Sequence, residues 1–246
     1  MADPRDNIKD DDRKEKSIAS YIIFCEDGYH EPAYFKSFEL GSRLMISTIG
    51  RQGQRNQHFF NAVKKCKEDG LLEVVDGVHK IKEGITENIW CVFDRDENVN
   101  QSNTKERDDF DFSTSIKNAT DAGLKVAWSN DSFELWVLLH FETGSSGTKL
   151  FQSNIYARLT DFFTNLPQKS DELAKIIGVD SFRYEKHLKP KFSQHVLPLL
   201  NERMNIALDN ALPLEAFFES NVSFHDRNPC TMVHHLVREL LAFQTQ

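Results

Sequence analysis

The sequence contains no long hydrophobic run. No stretch of its 246 residues approaches the ~18 consecutive apolar residues that a membrane-spanning helix needs. The first residues are charged, and the first apolar run, Tyr21 to Cys25, is too short for the hydrophobic part of a signal peptide. With 39% hydrophobic and 28% charged residues, the composition is that of an ordinary water-soluble protein. We therefore expect a cytoplasmic protein without a membrane partner.

Motifs built on cysteine, histidine or glycine are also missing. The four cysteines form no C-x-x-C pair, which argues against a zinc knuckle or a redox motif, and their use fits a reducing compartment. The nine histidines show neither H-x-H nor H-E-x-x-H spacing. His234 and His235 are adjacent on a predicted helix and are expected to point in different directions, so we do not expect zinc. Neither a P-loop nor G-x-G-x-x-G occurs, so ATP hydrolysis through these motifs is not expected.

The chain has fewer basic than acidic residues overall, but two of its stretches are basic. The net charge is −8, whereas a simple nucleic-acid binder is usually basic. Residues 41–67 nevertheless contain no acid and six basic residues. A second basic stretch contains Arg183, Lys186, Lys189 and Lys191. Such stretches can follow a phosphate backbone, although two solvated surfaces account for the charges equally well.

Residues 18–145 follow the pattern of an α/β fold. Residues 1–17 before them mix acids and bases with almost nothing to bury, which predicts a disordered tail. Four short apolar runs then alternate with helical patterns, as expected for a parallel sheet covered by helices on both faces. The predicted strands are 21–25, 44–49, 89–93 and 124–128.

Residues 146–246 are predicted to form a mainly helical C-terminal region that completes or flanks this core. The region begins in the polar cluster 143–148, which is typical of a loop. The candidate helices are 151–164, 170–178, 188–210 and 230–243. Pro190 and Pro198 are expected to interrupt the third of them.

Acidic residues cluster where the predicted strands end. Glu26 ends the first strand and Asp94 and Asp96 end the third, while Glu31 and Glu134 follow on the next helices. The carboxyl ends of parallel strands meet at one edge of a sheet, and Asp94 and Asp96 lie on the same side if the strand stays extended through them. Carboxylates within about 5 Å of one another repel unless a cation lies among them. Hard oxygen ligands suit Mg²⁺ or Mn²⁺, which can activate water for phosphodiester cleavage.

The D-x-D pair has two alternative interpretations. A lone D-x-D is more often a pair of solvated loop acids, but the further acids on the same predicted edge favour a metal site. Haloacid dehalogenase-type phosphatases also carry D-x-D, normally after the first strand and with Thr or Val two residues after the second Asp. Here the motif follows the third strand and that position holds Asn98, so we discount a phosphatase.

Several motifs in sequence order resemble those of the RloB/AbiLii-like proteins, a Toprim-related group found in bacterial defence and abortive-infection loci. The matching segments are 23–35 (IFCEDGYHEPAYF), 90–96 (WCVFDRD), 127–136 (AWSNDSFELW) and, more weakly, 228–233. Tyr184-Glu185-Lys186 resembles the family's Tyr-x-Lys. Asp27 stands where the family usually has Gly, and Asp131 stands where it often has Pro.

The resemblance implies a Toprim-like (Rossmann-like) fold with a four-stranded, mainly parallel sheet. It implies that Glu26, Asp94 and Asp96 are the core metal residues. Glu31 and Glu134 would then serve a second metal or its outer shell. Lys186 would stabilise charge on the scissile phosphate, although a solvated surface lysine is the simpler alternative.

The function that the resemblance implies is that of a Mg²⁺-dependent nuclease, with Mn²⁺ as an alternative metal. Its substrate would be DNA or RNA, tRNA included, and its role that of an effector in anti-phage defence or abortive infection. An ATPase partner protein is an expectation from the family alone. The alternative function is a non-catalytic, metal-bound Toprim module that binds nucleic acid or a nucleotide and regulates such a partner.

Overall fold

The structure is a computed structural model that describes residues 18–53, 55–97 and 105–243. The predicted disordered tail, residues 1–17, and Asn98 lie outside the described residues. Among the described helices, none is both long enough and apolar enough to cross a bilayer.

Seven strands form two sheets within the described residues. The strands are β1 (Ala19–Cys25), β2 (Leu44–Ile49), β3 (Leu72–Val75), β4 (Val78–Ile81), β5 (Asn88–Asp94), β6 (Lys125–Asn130) and β7 (Cys230–Thr231). The main sheet has the order β2-β1-β5-β6-β7. β2, β1, β5 and β6 are mutually parallel, and β7 is antiparallel to β6. The sheet is therefore mixed and five-stranded, so the prediction of four strands missed β7.

The second sheet is a hairpin that was not predicted from the sequence. β3 and β4 pair in antiparallel register, with Leu72 opposite Ile81. Asp76 and Gly77 connect them, and both residues have positive φ angles, 51° and 79°. This conformation is that of the tight turns that match the twist of a two-stranded ribbon, and Asp-Gly is a preferred sequence for it.

Helices cover both faces of the main sheet. They are α1 (His30–Lys36), α2 (Arg55–Glu68), α3 (Lys105–Asp121), α4 (Phe133–Leu139), α5 (Gln152–Thr164), α6 (Asp171–Ile177), α7 (Leu197–Glu202), α8 (Met204–Ala216) and α9 (Val233–Leu241). Along β1, Ile23 and Cys25 belong to one buried cluster, whereas Phe24 belongs to another cluster with residues of α2 and α3. Because successive side chains of a strand point to opposite faces, a continuously apolar strand fits a sheet that is buried on both sides.

Residues of the C-terminal region join both the sheet and its core. β7 pairs with β6, and Ile155 of α5 and Leu214 of α8 lie in the same buried cluster as Ile23 of β1. Leu236 and Leu240 of α9 are part of that cluster as well.

Residues 184–196 form irregular helical turns that overlap the start of the predicted helix 188–210. Tyr184–Leu188 and Phe192–Val196 are π-helical, and Lys189–Lys191, with Pro190, is a 3₁₀ turn between them. Proline cannot donate the backbone hydrogen bond of a helix interior, so an interruption at Pro190 is expected and is found. Short π-helical turns are often found at functional sites. Here they bring Lys189 to the edge of the main sheet.

Candidate metal site at the edge of the main sheet

The ends of β1 and β5 are joined by a hydrogen bond between two of the predicted site residues. The backbone N–H of Asp94 donates to Oε2 of Glu26 at 3.0 Å. The parallel register pairs Cys25 with Val92, so both strands end at the same level. The predicted meeting of Glu26 and Asp94 is therefore found in the structure.

Asp94 lies at the centre of the acids. Its Oδ2 accepts a hydrogen bond from the backbone N–H of Phe133 at 2.9 Å. Its Oδ1 is buried and has no hydrogen-bond partner among the described residues. Burial raises the pKa of Asp94 well above its usual range, and four other carboxylates raise it further. These are Glu31, Asp96, Glu26 and Glu134.

The four other predicted acids therefore all act on Asp94. We call Glu26, Glu31, Asp94, Asp96 and Glu134 the acidic cluster. A buried carboxylate oxygen without a donor is costly unless a proton or a cation satisfies it. Hard divalent cations prefer such oxygen ligands, so the acidic cluster fits Mg²⁺ or Mn²⁺.

Glu31 is held in the acidic cluster by the first turn of α1. Its side chain is buried, and its Oε2 accepts a hydrogen bond from the backbone N–H of Asp27 at 3.3 Å. Burial raises the pKa of Glu31 well above its usual range, and the charges of Asp27 and Glu26 add to this effect. Glu31 therefore adds to the excess of negative charge around Asp94.

Asp27, which replaces the family's usual glycine, caps the start of α1. Its Oδ1 accepts from the backbone N–H groups of Tyr29 and His30 at 2.6 and 2.8 Å, and its Oδ2 lies 2.6 Å from Nδ1 of His30. Burial raises the pKa of Asp27, but the hydrogen bonds from His30 and Tyr29 outweigh burial and lower it. A carboxylate at a helix start satisfies backbone donors that would otherwise lack partners. This departure from the family pattern therefore leaves the helix that carries Glu31 intact.

Asp96 does not continue the strand. β5 ends at Asp94, and Asp96 has a φ angle of +46°, so the condition that the strand stays extended through both residues is not met. The backbone N–H of Asp96 donates to the carbonyl of Asp131 at 3.0 Å, and Nε2 of Gln152 donates to Oδ1 of Asp96 at 3.3 Å. Arg95, between the two acids, is buried and forms an ion pair with Asp109. Asp96 therefore lies in a turn that follows β5.

Asp131, where the family often has proline, connects three segments near the acidic cluster. Its Oδ1 accepts from the backbone N–H of Glu97 at 2.6 Å, and its Oδ2 accepts from the backbone N–H of Gln152 at 2.8 Å. Burial raises the pKa of Asp131. The side chain is acceptor-only when ionised, so it can hold both N–H groups at once.

Lys189 supplies a positive charge at the acidic cluster. Its Nζ lies 2.5 Å from Oε1 of Glu134 and donates to the hydroxyl of Tyr156 at 3.0 Å. Burial lowers the pKa of Lys189, but Glu134 and Tyr156 outweigh burial and raise it above its ordinary value. The carbonyl of Lys189 lies 3.1 Å from Nε2 of His30, which attaches this turn to α1. Lys189 is therefore held in its charged form against one member of the acidic cluster.

Lys186, the lysine chosen from the Tyr-x-Lys match, lies elsewhere. It is exposed, and no hydrogen bond or ion pair within the described residues joins its side chain to the acidic cluster. Tyr184 of the same motif is buried, and the charge of Glu134 contributes to its raised pKa, although burial is the larger cause. The sequence did contain one signal for Lys189, since it was part of the second basic stretch.

Arg51, from the acid-free stretch 41–67, lies next to the start of this site. Its backbone N–H donates to the carbonyl of Asp27 at 3.0 Å. The turn before it depends on glycine, because a Cβ at Gly50 would lie 2.6 Å from the carbonyl oxygen of Asp27. The side chain of Arg51 lies against Gly28, because a Cβ added at Gly28 would be 2.7 Å from Nε of Arg51. One basic residue of that stretch is therefore adjacent to the residues that follow β1.

Fold and site together define an α/β protein with a carboxylate cluster at the carboxyl edge of a mixed sheet. The family model of the RloB-like protein matches residues 21–240, and the chain belongs to this family. The match spans the whole acidic cluster together with Lys189. No curated protein and no solved structure matches the chain.

Proposed function

We propose that this chain is a metal-dependent nuclease that hydrolyses phosphodiester bonds in DNA or RNA. Its Toprim-like site would hold Mg²⁺ or Mn²⁺ through Glu26, Asp94 and Asp96, with support from Glu31 and Glu134. The observation that carries the proposal is Asp94, whose buried Oδ1 lacks a donor among the described residues while four other carboxylates raise its pKa. A cation at this position would offset the repulsion within the acidic cluster.

When bound, the divalent cation supplies Lewis-acid stabilisation and a water molecule of lowered pKa. The acidic cluster would hold and orient that cation through its carboxylate oxygens. Lys189 takes the role expected of Lys186, because its ammonium group contacts Glu134 and is held in its charged form. A fixed positive charge beside the reacting phosphate stabilises the charge that develops there.

The substrate would approach over the start of α1. Arg51 lies there beside the turn after β1, and guanidinium groups bind phosphates through paired hydrogen bonds. The local basic stretch can contact a phosphate backbone even though the net charge of the chain is negative. A role in anti-phage defence or abortive infection, and an ATPase partner, are supported by family membership alone.

The test is a cleavage assay with plasmid DNA and tRNA in Mg²⁺, in Mn²⁺ and in EDTA. We expect cleavage in the presence of either metal, none in EDTA, and a loss of at least about 100-fold in Asp94→Asn. Asparagine keeps an oxygen that can accept from Phe133 but removes the charge. Asp209→Asn, an exposed change on α8, is the matched control and should cleave like the wild type.

Undiminished cleavage by Asp94→Asn would contradict the proposed site. Metal-dependent binding of DNA or RNA without cleavage, both alone and with an ATPase partner, would instead favour the non-catalytic module. The two functions are therefore separated by measuring binding and cleavage on the same samples.

A further inference from the structure

Three potential metal ligands lie together in the C-terminal region, apart from the acidic cluster. Glu215 is near the end of α8, and His234 and His235 are in the first turn of α9. Nε2 of His234 lies 2.8 Å from Oε2 of Glu215, and Nε2 of His235 lies 3.0 Å from Oε1. The expectation that the two adjacent histidines point apart is wrong, because both face one carboxylate and their ring centroids are 4.1 Å apart.

The hydrogen bonds of His234 fix which nitrogen is available. Its side chain is fully buried, and its Nδ1 lies 3.0 Å from the carbonyl oxygen of Thr231. A carbonyl only accepts, so Nδ1 carries the hydrogen. In a neutral ring, Nε2 then presents a lone pair to the carboxylate of Glu215 at 2.8 Å. Two lone pairs at that distance repel, so a proton or a cation must satisfy them.

We propose that Glu215, His234 and His235 bind a transition-metal ion of the Zn²⁺ class, with water in the remaining coordination position. Imidazole nitrogens combined with one carboxylate suit Zn²⁺ better than Mg²⁺, which prefers oxygen ligands alone. Metal-bound histidines commonly donate their other ring N–H to a backbone carbonyl, as His234 does to Thr231.

The contacts of Glu215 with the two histidines need only a small adjustment. The three ligand atoms lie within 4.8 Å of one another. Tetrahedral Zn²⁺ with ligand bonds of about 2.0–2.1 Å places its donor atoms roughly 3.4 Å apart, so the contacts with Glu215 must widen by about half an ångström. The side chains of Glu215 and His235 are 34% and 45% exposed, which leaves them room to move and lets water reach the ion.

The proposed ion would connect the end of α8 to the first turn of α9. Glu215 and His234 are 19 positions apart, and β7 lies between them. Thr231 of β7 accepts the hydrogen bond of His234 and pairs with Ser129 of β6. The carbonyl of Ser129 in turn accepts from the backbone N–H of Arg95, beside Asp94. Metal binding would therefore hold β7 in place at the side of the sheet that carries the acidic cluster.

The experiment uses tag-free, full-length protein in excess Mg²⁺, so that sites with oxygen ligands alone, such as the acidic cluster, are already occupied by Mg²⁺. We expect one equivalent of Zn²⁺ to remain bound after gel filtration, and Co²⁺ to give the visible absorption of a four- or five-coordinate nitrogen–oxygen site. Glu215→Gln and His235→Ala should each lower Zn²⁺ affinity by at least about 10-fold and weaken the Co²⁺ spectrum. Zn²⁺ should raise the Tm of the wild type but not that of these variants.

Two variants serve as controls for this assignment. His195→Ala removes a histidine outside the group, and Asp94→Asn alters the acidic cluster, so both should keep the Co²⁺ spectrum of the wild type. Circular dichroism checks that every variant is folded. A wild type that retains no Zn²⁺ would overturn the proposal and leave a protonated His234–Glu215 pair. Equal metal binding by Glu215→Gln and the wild type would overturn it as well.

Discussion

Replacing Lys189 with methionine tests the charge arrangement at the acidic cluster. Methionine resembles lysine in length but has no charge, so the change removes the ammonium group that lies 2.5 Å from Glu134. The Lys189 side chain is 23% exposed and that of Glu134 is 6% exposed, so water screens the pair only in part. Removing one partner of a buried ion pair costs about 3–5 kcal/mol, because the other charge stays buried without compensation. We expect about 3 kcal/mol here, since the lysine is not fully buried.

The same change should make the protein depend more strongly on a divalent cation. Without Lys189, the acidic cluster has one more uncompensated negative charge, which increases its attraction for a cation. A ligand that binds only the folded state stabilises it by about 2.7 kcal/mol at a concentration of 100 Kd. We therefore expect excess Mg²⁺ to restore most of the stability that Lys189→Met loses in EDTA, and to stabilise the variant more than the wild type.

Urea unfolding followed by circular dichroism, in EDTA and in excess Mg²⁺, measures both effects. Lys186→Met is the matched control, because Lys186 is exposed and such surface changes usually alter the free energy of unfolding by less than about 0.5 kcal/mol. This role of Lys189 is refuted if Lys189→Met in EDTA loses less than about 1 kcal/mol, the range of exposed ion pairs. It is equally refuted if the two variants unfold alike.

Three further predictions address other parts of the protein. Asp131→Ala should lower the free energy of unfolding by about 3 kcal/mol in urea titrations, because the backbone N–H groups of Glu97 and Gln152 lose their acceptor. Asp131→Asn keeps one acceptor oxygen and should lose about half as much. Equal losses in the two variants would contradict this role of the carboxylate. The pKa of buried His58 is lowered to about 3, because burial disfavours its charged form. The unfolded chain therefore binds an additional proton near pH 6.5, so the free energy of unfolding should fall as pH drops below that value, by about 2 kcal/mol at pH 5. Urea titrations above pH 6.5 and at pH 5 measure this fall, which should be correspondingly smaller in His58→Phe. Arg51→Gln should weaken binding of DNA and reduce the slope of log affinity against log salt by about 0.9, and an unchanged slope would place Arg51 outside the interface.

The acids of β1 and β5 could be predicted because these strands are short, continuously apolar and parallel. Ile23 and Phe24 belong to opposite faces of one buried sheet, and such a strand has no polar alternation that could suggest a different arrangement. Parallel strands then fix the edge at which Glu26 and Asp94 meet. The hydrophobic pattern therefore predicted the edge of the sheet at which these two acids meet.

Other features depend on contacts that no local pattern encodes. β7 has two residues, Cys230 and Thr231, too few to show a strand pattern, and it exists because it pairs with β6. The positive φ angle of Asp96 accompanies a backbone hydrogen bond to Asp131, which follows a different strand. Lys189, which contacts Glu134, lies between two π-helical turns, and the sequence pattern predicted an interruption at Pro190 but not these turns.

Because β7 comes late in the sequence, it affects the order in which the site assembles during translation. Thr231 and Ser129 form a hydrogen bond between side chains 102 positions apart, and Lys189 also contacts Glu134, which comes much earlier in the chain. Contacts of such long sequence separation form late, since the intervening chain must first be ordered. On the ribosome, the strands that carry Asp94 and Ser129 emerge before β7 and Lys189 have been synthesised. A newly made chain therefore holds its carboxylates before it has the lysine and the strand that complete their surroundings, and the site matures only after β7 has been synthesised.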